Sequence, residues 1–334
     1  MKKFITMMVM HLQMFANEVQ TTLLDGLSAE MKTFYDMTLI DEATAELVHD
    51  QFGQKRPVPA NGGKIIEFRK FAALDKALTP LTEGVTPEGK RMEVSTVTAE
   101  LNQYGDFITQ TDVLELTALD NTILEATKLL GRQAGLTLDT VVRNVLQSGT
   151  NVTYCPKVED GVETEITSRS ALGKNCQLTV DMVHRVVAKL RAQNAPTIRG
   201  KYVAIIHPYV AYDLMRDPEW IAAHKYADPK AIFEGEIGEL GGVRFVQTTE
   251  AKVYEGGIFS SLFLGEGAYG VSELAGGGLQ TIVKQKGSAG SADPLDQRSS
   301  VGWKAMKTAE ILIPAYLVRV ESYSNRFSTT VKAN

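Results

Sequence analysis

Cysteine is scarce in this chain of 334 residues, which contains only Cys155 and Cys176. Two thiols are too few for a disulfide framework or, by themselves, for a zinc site. We expect two free thiols, as in proteins of a reducing cytosol, with one surface disulfide as the alternative. Histidine is nearly as scarce, and the five copies lie far apart without an i,i+4 pair. The sequence therefore predicts no metal site and no cofactor.

An excess of positive charge is also absent, because the formal net charge is −5 and the pI is about 5.7. Proteins whose main task is to grip nucleic acid usually carry a basic stripe. The charge balance argues against such a task, although local basic patches stay possible.

Long apolar runs are missing as well. No stretch approaches the roughly 18 apolar residues that a membrane-spanning helix needs. Lys2 and Lys3 precede the apolar residues 4–10 and so imitate a secretory signal. That run is short, however, and no A-x-A-like cleavage site follows it. We expect neither a membrane anchor nor secretion.

The composition that is present suits a folded protein, since 44% of the residues are hydrophobic and 22% are charged. The length suggests two domains or one elaborated domain. Helical and strand patterns are interleaved without a regular βαβ rhythm. This arrangement favours an α+β fold over a doubly wound sheet.

The first 60 residues have the pattern of an arm. Helical spacing extends from Thr22 to Gln51, but its apolar positions are too few to bury themselves. Pro57, Pro59 and the pair Gly62-Gly63 then indicate a change of structure. The apolar positions of this segment are Leu23, Leu27, Met31, Phe34, Tyr35, Ile40, Ala43 and Leu47.

Two predicted strands, 64–71 and 91–98, enclose a long loop. In the first, Ile66 and Phe68 alternate with charged residues, and in the second Met92 and Val94 alternate with polar ones. The connection is longer than a hairpin turn requires, and loops beyond about 12–15 residues are usually functional or disordered. Its apolar residues indicate a partner surface, or alternatively a satellite of the chain's own core. They are Phe71, Leu74, Leu78 and Leu81.

A long helix is the clearest single element of the sequence. Apolar residues advance by threes and fours, which is the spacing of one helix face. Thr117 and Asp120 resemble a capping box, and Gly149 is a plausible end. Gly131 and Gly135 suggest a bend near them. The seam consists of Leu119, Ile123, Ala126, Leu130, Ala134, Leu138, Val141 and Val145.

The second half alternates helices and strands. Thr179 is predicted to begin a helix with Val180, Val183, Val187 and Leu190 on one face. A final strand over 311–321 is predicted from alternation, with Val318 and Val320 opposite the charged Arg319 and Glu321. The other predictions are strands over 202–206, 243–248, 258–264 and 279–285 and a short helix over 209–215.

Two features imitate enzyme motifs. Gly265, Gly267 and Gly270 match the dinucleotide fingerprint, but no helix pattern follows them, so a hairpin turn is the better interpretation. His207 follows a buried strand, where a catalytic base can lie. It has no nucleophile elbow or carboxylate partner in the sequence. We therefore predict that the chain is not an enzyme.

Six stretches resemble, in order and over nearly the whole chain, the major capsid proteins of tailed phages of the N-four-type family. Each stretch alone is weak, whereas together they are specific. They are LQMFANEVQTT (12–22), GGKIIEFRKF (62–71), TPLTEGVTPEG (79–89), HPYVAYDLMRD (207–217), GEIGELGGVRFVQT (235–248) and DPLDQRSSVGWK (293–304).

The resemblance implies the Johnson fold, which is the coat fold of the Hong Kong ninety-seven phage. It implies an N-terminal arm over 1–60, an extended β-hairpin loop over 61–110 and an axial domain over 180–290. The peripheral domain would take 111–179 and 291–334, with a long spine helix over 117–149.

The implied function is self-assembly through pentameric and hexameric rings into an icosahedral head that encloses double-stranded DNA without sequence-specific binding. The partners would be further copies of the chain together with scaffolding and portal proteins. Assembly would take place in the cytoplasm of the bacterial host. We expect contacts between subunits at Phe71, Leu74, Leu78 and Leu81 in the loop and at Leu23 and Leu27 in the arm.

Two alternatives stay open at this point. An encapsulin-like shell protein of the host would share the fold. A soluble enzyme built around His207 would belong to another class, and it would form a small oligomer rather than rings or particles.

Overall fold

The structure is a computed structural model, and it describes residues 29–57, 64–71, 74, 76–81, 83–86, 88–117, 122–159, 161–227, 238–273, 278–288 and 293–334. The helices are α1 (Ala29–Glu46), α2 (Asp112–Thr117), α3 (Thr122–Gln147), α4 (Val180–Ala192), α5 (Pro208–Met215) and α6 (Pro218–Ala227). Single 3₁₀ turns lie at Arg169–Ala171 and Pro314–Tyr316. No helix within these ranges is long and apolar enough to cross a membrane.

The strands form several separate sheets. Those of the first half are β1 (Gln54–Pro57), β2 (Ile65–Phe71), β3 (Val94–Glu100), β4 (Asn102–Thr111), β5 (Val152–Tyr154), β6 (Lys157–Glu159) and β7 (Val162–Thr164). Those of the second half are β8 (Tyr202–Ile206), β9 (Glu239–Leu240), β10 (Val243–Gln247), β11 (Val253–Tyr254), β12 (Ile258–Leu264), β13 (Tyr269–Glu273), β14 (Leu279–Lys284), β15 (Arg298–Lys307), β16 (Ala309–Ile311) and β17 (Leu317–Tyr323). This mixture confirms the α+β prediction.

The largest sheet has the order β5-β17-β12-β8-β10-β9, with β11 paired to β12. One face carries α4, whose predicted apolar face is buried with Thr179 as the N-cap. The other face carries the C-terminal half of α3 and β13. Because both faces are covered, every residue of β8 and β12 is buried. The continuous apolar sequences of these two strands follow from that position.

The last strand, β17, differs from its prediction. We expected Arg319 and Glu321 on an exposed face, but both are buried, since β17 lies between β5 and β12. Their charges compensate each other, because Arg319 Nε lies 3.2 Å from Glu321 Oε1. Arg169 adds a second ion pair at 2.6 Å, and its hydrogen bond to Glu321 raises the pKa of the Arg169 guanidinium. Alternation misled us because it cannot distinguish exposure from paired burial.

The long helix α3 is described over Thr122–Gln147, within the predicted range 117–149. Thr117 is the last residue of α2 rather than a cap of α3, and Asp120 lies outside the described residues. The described helix begins at Thr122, whose hydroxyl donates to Gln110 Oε1 at 3.0 Å. Leu119 also lies outside the described residues. From Ile123 to Leu138 the predicted seam faces the core, but Val142 and Leu146 are then buried in place of Val141 and Val145.

One face of the arm helix α1 packs against α3, so this segment contributes to a core that the sequence did not indicate. Its buried residues are Tyr35, Leu39, Ala43 and Leu47, whereas Phe34 and Ile40 are exposed. Gly131 and Gly135 bring the two helices into close contact, and the bend expected near them stays a prediction. A Cβ on Gly135 would lie 2.5 Å from the Ala43 carbonyl oxygen, and one on Gly131 would lie 2.9 Å from that of Leu39. The two helices approach at their backbones because these residues lack side chains.

Two smaller sheets complete the body. The order β14-β15-β4 is antiparallel throughout, and one of its faces covers α1 and α3. The order β1-β13-β16 joins the end of the arm to the body. The glycine motif forms a turn between β12 and β13, which pair in different sheets, so it is not the hairpin that we predicted.

Strand pairing connects segments that we had assigned to different domains. The sheet around α4 includes β5 and β17 from outside 180–290, and β14 from inside that range pairs with β15 and β4. The division into arm, loop, peripheral domain and axial domain therefore stays a prediction.

Candidate assembly surfaces

The base of the β2–β3 hairpin is fixed to the body by a small apolar cluster. Ile66 and Phe68 are buried there, as predicted, together with Ala99, Leu101 and Leu312. The ring of Phe68 lies directly against Gly270, at a position where any side chain on residue 270 would collide with it. The second strand begins three residues later than predicted, so Met92 and Val94 are exposed and Ala99 supplies the buried contact.

Beyond the base, the loop between β2 and β3 exposes its apolar side chains. Leu74, Leu78 and Leu81 are 62%, 82% and 77% exposed. Phe71, the last residue of β2, is 58% exposed. Contiguous apolar exposure of this kind usually marks an interaction site. The alternative that these leucines form a satellite of the chain's own core is wrong for the described residues.

The arm helix also has an exposed apolar face, formed by Phe34, Met37 and Ile40. This face lies opposite the one that packs against α3. The other two predicted contact residues, Leu23 and Leu27, lie outside the described residues.

A buried polar cluster holds the end of the arm to the body. Asp139 of α3 accepts hydrogen bonds from the backbone of Val48 and His49 at 2.9 and 2.7 Å and lies 2.6 Å from His49 Nδ1. Lys307 forms an ion pair with Asp50, and Tyr269 donates to the His49 carbonyl at 2.5 Å. Burial raises the pKa of Tyr269. Sequence reasoning missed this cluster, because nothing in the local sequence links residues so far apart.

The outer face of the β14-β15-β4 sheet carries another exposed apolar area. Phe107 is 68% exposed, and Ile282 is 38% exposed. Gly302 of β15 lies between them in the register, opposite both residues. They line a groove of about 440 Å³.

His207, the residue considered as a catalytic base, caps a helix and is largely buried. The Nδ1 atom of His207 accepts from the backbone of Tyr209 at 3.2 Å and caps α5, and its ring lies 5.0 Å from that of Phe259. Burial lowers the pKa of His207 to about 4.

Cys155 and Cys176 are both buried and free, so the alternative of a surface disulfide is wrong. Burial raises the pKa of the Cys155 thiol, which leaves it in the unreactive protonated form.

A sequence model of a family described as "Phage capsid protein" matches residues 7–262, well over half of the chain. The chain belongs to this phage capsid protein family. Comparison with curated protein sequences finds no significant match to the capsid protein.

Solved structures agree with this family at the level of the fold. The capsid of Ralstonia phage GP4 has a TM-score of 0.66 at 14% identity, covering 84% of the capsid protein and 89% of that chain. The capsid of cyanophage P-SCSP1u has a TM-score of 0.62 at 13% identity, covering 82% and 87%. The head structure of Helicobacter pylori bacteriophage KHP40 has a TM-score of 0.60 at 12% identity, covering 81% of the capsid protein and 88% of that chain.

These findings confirm the Johnson fold and the prediction of a tailed-phage major capsid protein. They do not favour the alternative of an encapsulin-like host shell. The resemblance inferred from six short stretches was therefore sound, although the roles assigned to individual contact residues stay predictions.

Proposed function

We propose that copies of this capsid protein close into rings of five and six, which join into an icosahedral head around double-stranded DNA. The observation that supports this most directly is the loop between β2 and β3, whose three leucines are exposed in a single copy. Burying a leucine side chain stabilises by roughly 1.5–3 kcal/mol. A contact repeated at every subunit would thus contribute substantially to a closed shell.

The arm supplies a second contact in this proposal. The exposed face of α1 and the predicted contacts Leu23 and Leu27 belong to the same segment, 1–60. Contacts between unlike surfaces produce closed rings when the rotation between neighbours closes. The loop and the arm are such surfaces, since each presents apolar side chains that its own body leaves uncovered.

The remaining parts of the proposal follow from charge and family. A net charge of −5 suits the wall of a container that encloses DNA without binding a particular sequence. We expect scaffolding and portal proteins as partners and assembly in the cytoplasm of the bacterial host. The role is structural and not catalytic, with no cofactor and no membrane contact.

The decisive experiment replaces Leu74, Leu78 and Leu81 together by serine. We expect the thermal midpoint of the isolated subunit to stay near that of the wild type, because all three side chains are already exposed. Negative-stain microscopy should show no particles. The matched control replaces Lys76, Thr79 and Thr86 of the same loop by serine and should assemble normally.

Two results would contradict the proposal. Normal particles from the triple leucine variant would remove the loop from assembly, and early melting of that variant would make the loop part of the fold. A wild-type chain that sediments only as a monomer, with or without its scaffolding protein, would contradict the proposed head itself.

A further inference from the structure

The two cysteines of the chain lie side by side along one edge of strand β17. Cys155 directly follows β5, and its backbone amide donates to the Glu321 carbonyl of β17 at 3.0 Å. Two positions further along β17, the Tyr323 amide donates to the carbonyl of Cys176 at 2.8 Å. Alternate residues of a strand direct their backbone groups to the same edge. The two cysteines therefore pair with successive bonding positions on that edge.

A further backbone contact joins the two segments that carry the cysteines. The Val158 amide donates to the Asn175 carbonyl at 3.0 Å. Asn175 directly precedes Cys176, and Val158 lies three residues after Cys155. The two segments are thus held together by their own hydrogen bond as well as by the strand that they share.

The spacing along β17 suits a disulfide. Strand residues advance by about 3.3 Å, so two positions span roughly 6.6 Å. A disulfide joins Cα atoms that lie about 4.4–6.8 Å apart. Cysteines paired with successive positions on one edge therefore need little backbone movement to be bridged.

The two side chains also share their surroundings. Both thiols are fully buried in the apolar cluster between α4 and the largest sheet. Burial is the main cause of the raised pKa of the Cys155 thiol, and the charge of a Cys176 thiolate raises that pKa further. Electrostatic influence of this kind falls off with distance, so it agrees with two neighbouring sulfur atoms.

The position of the pair allows it to react slowly. Protonated, buried thiols react little while the segment is closed. In the described sheet, however, β5 is an edge strand of three residues that lies beside β17. Short edge segments open locally at a lower free energy than the interior of a sheet. Opening of residues 152–176 would bring both thiols to solvent together.

We propose that Cys155 and Cys176 form an intrachain disulfide when the chain meets a low-molecular-weight disulfide such as oxidised glutathione, and that this link locks the edge of the largest sheet. One cysteine thiolate attacks the glutathione disulfide and releases the first glutathione thiolate. The other cysteine thiolate then attacks the mixed disulfide and releases the second. The two protein thiols are oxidised to one disulfide, and their protons and electrons pass to two glutathione thiols.

The link would act in a virion outside its host. Cytosolic thiols are kept reduced, whereas disulfides persist on virion surfaces and in other oxidising surroundings. The bridge would close residues 156–175 into a loop and so restrict the unfolded chain. We expect the thermal midpoint of the oxidised subunit to exceed that of the reduced subunit by roughly 4–8 °C.

The test treats the full-length chain with oxidised glutathione in two ways. One sample stays folded in buffer with increasing low concentrations of urea, and the other is refolded from concentrated urea. Digestion without reductant, followed by mass spectrometry, should show a peptide in which Cys155 is linked to Cys176. The link should form slowly in buffer and faster as urea promotes opening. Thermal melts with and without dithiothreitol then measure the change in midpoint.

The matched controls are Cys155→Ala and Cys176→Ala, each compared with its own reduced form. Neither variant can form the link, so the oxidant should not raise its midpoint. A rise as large as that of the wild type would overturn the lock, because the bridge could not be its cause.

Two other results would also overturn the proposal. The first is the absence of the linked peptide from both samples, including the case in which each cysteine retains one glutathione. The second is a linked chain whose midpoint is unchanged or lowered. All readouts concern the single subunit, so failure of this proposal would leave the proposed head unaffected.

Discussion

The base of the β2–β3 hairpin and the loop that follows it are neighbours in sequence and both carry large apolar side chains, yet only the base buries some of them. Phe68 is fully buried against Gly270, whereas Phe71, three residues further on, is 58% exposed. The base contributes to the fold of one subunit, and the loop can gain free energy only from a partner. Apolar content alone thus does not reveal whether a residue stabilises its own chain or an assembly.

The largest expected contrast comes from the same substitution at these two phenylalanines. Phe68→Ala removes a buried ring and should destabilise the subunit by about 3–5 kcal/mol. Phe71→Ala should change the free energy of unfolding by less than about 0.5 kcal/mol, since the ring is exposed. Chemical denaturation of both variants measures the difference. Equal effects on the free energy of unfolding would mean that the base and the loop contribute alike to the fold of the subunit.

The second contrast uses the same substitution at two glycines and tests whether the arm helix packs against the body. Gly135→Ala brings a Cβ to within 2.5 Å of the Ala43 carbonyl oxygen, so α1 and α3 must separate. We expect a loss of about 1–3 kcal/mol, as is typical of overpacking. Gly89→Ala, in the loop, meets no atom within 4 Å and should be neutral. A neutral Gly135→Ala would show that the arm is not packed as described.

Acidification should lower the free energy of unfolding of the subunit, because it protonates the buried His207. Because the pKa of His207 is lowered to about 4 from its usual 6.5, the folded state binds fewer protons than the unfolded state in this range. Its contribution to stability is present above pH 6.5 and is lost as the pH falls towards 4, by about 3 kcal/mol.

Denaturation curves at several pH values measure this loss, and His207→Asn should reduce the slope. The exposed His184 provides the control as His184→Asn. If the slope is the same in wild type and His207→Asn, burial of His207 does not govern the acid response.

The smallest contrast concerns two threonines. Thr179 caps α4 by accepting from the Met182 backbone at 3.3 Å, so Thr179→Ala should cost about 1 kcal/mol. Thr79→Ala, in the exposed loop, should leave the thermal midpoint unchanged. A shift of similar size in both variants would argue that the cap contributes nothing specific.

The elements with a regular apolar period could be predicted from the sequence. The helix over 180–192 and the strands over 202–206 and 258–264 lie where their patterns place them, because burial of one face imposes a period on local sequence. The unexplained leucines of the loop also led correctly to an exposed surface. Local patterns were less reliable where charges are buried, as at Arg319 and Glu321.

By itself, the sequence determined the class of fold, the exposed loop and, through six short stretches, the family. Only the tertiary structure decided that Asp139 holds the backbone of residues 48 and 49, that Gly131 and Gly135 admit the arm helix, and that Phe107 and Ile282 share a groove. The physical reason is the separation in sequence over which each kind of signal acts. Periodicity and turns act between residues a few positions apart, whereas these contacts join segments about 90 to 175 positions apart, and no local pattern records which distant segment will be the neighbour.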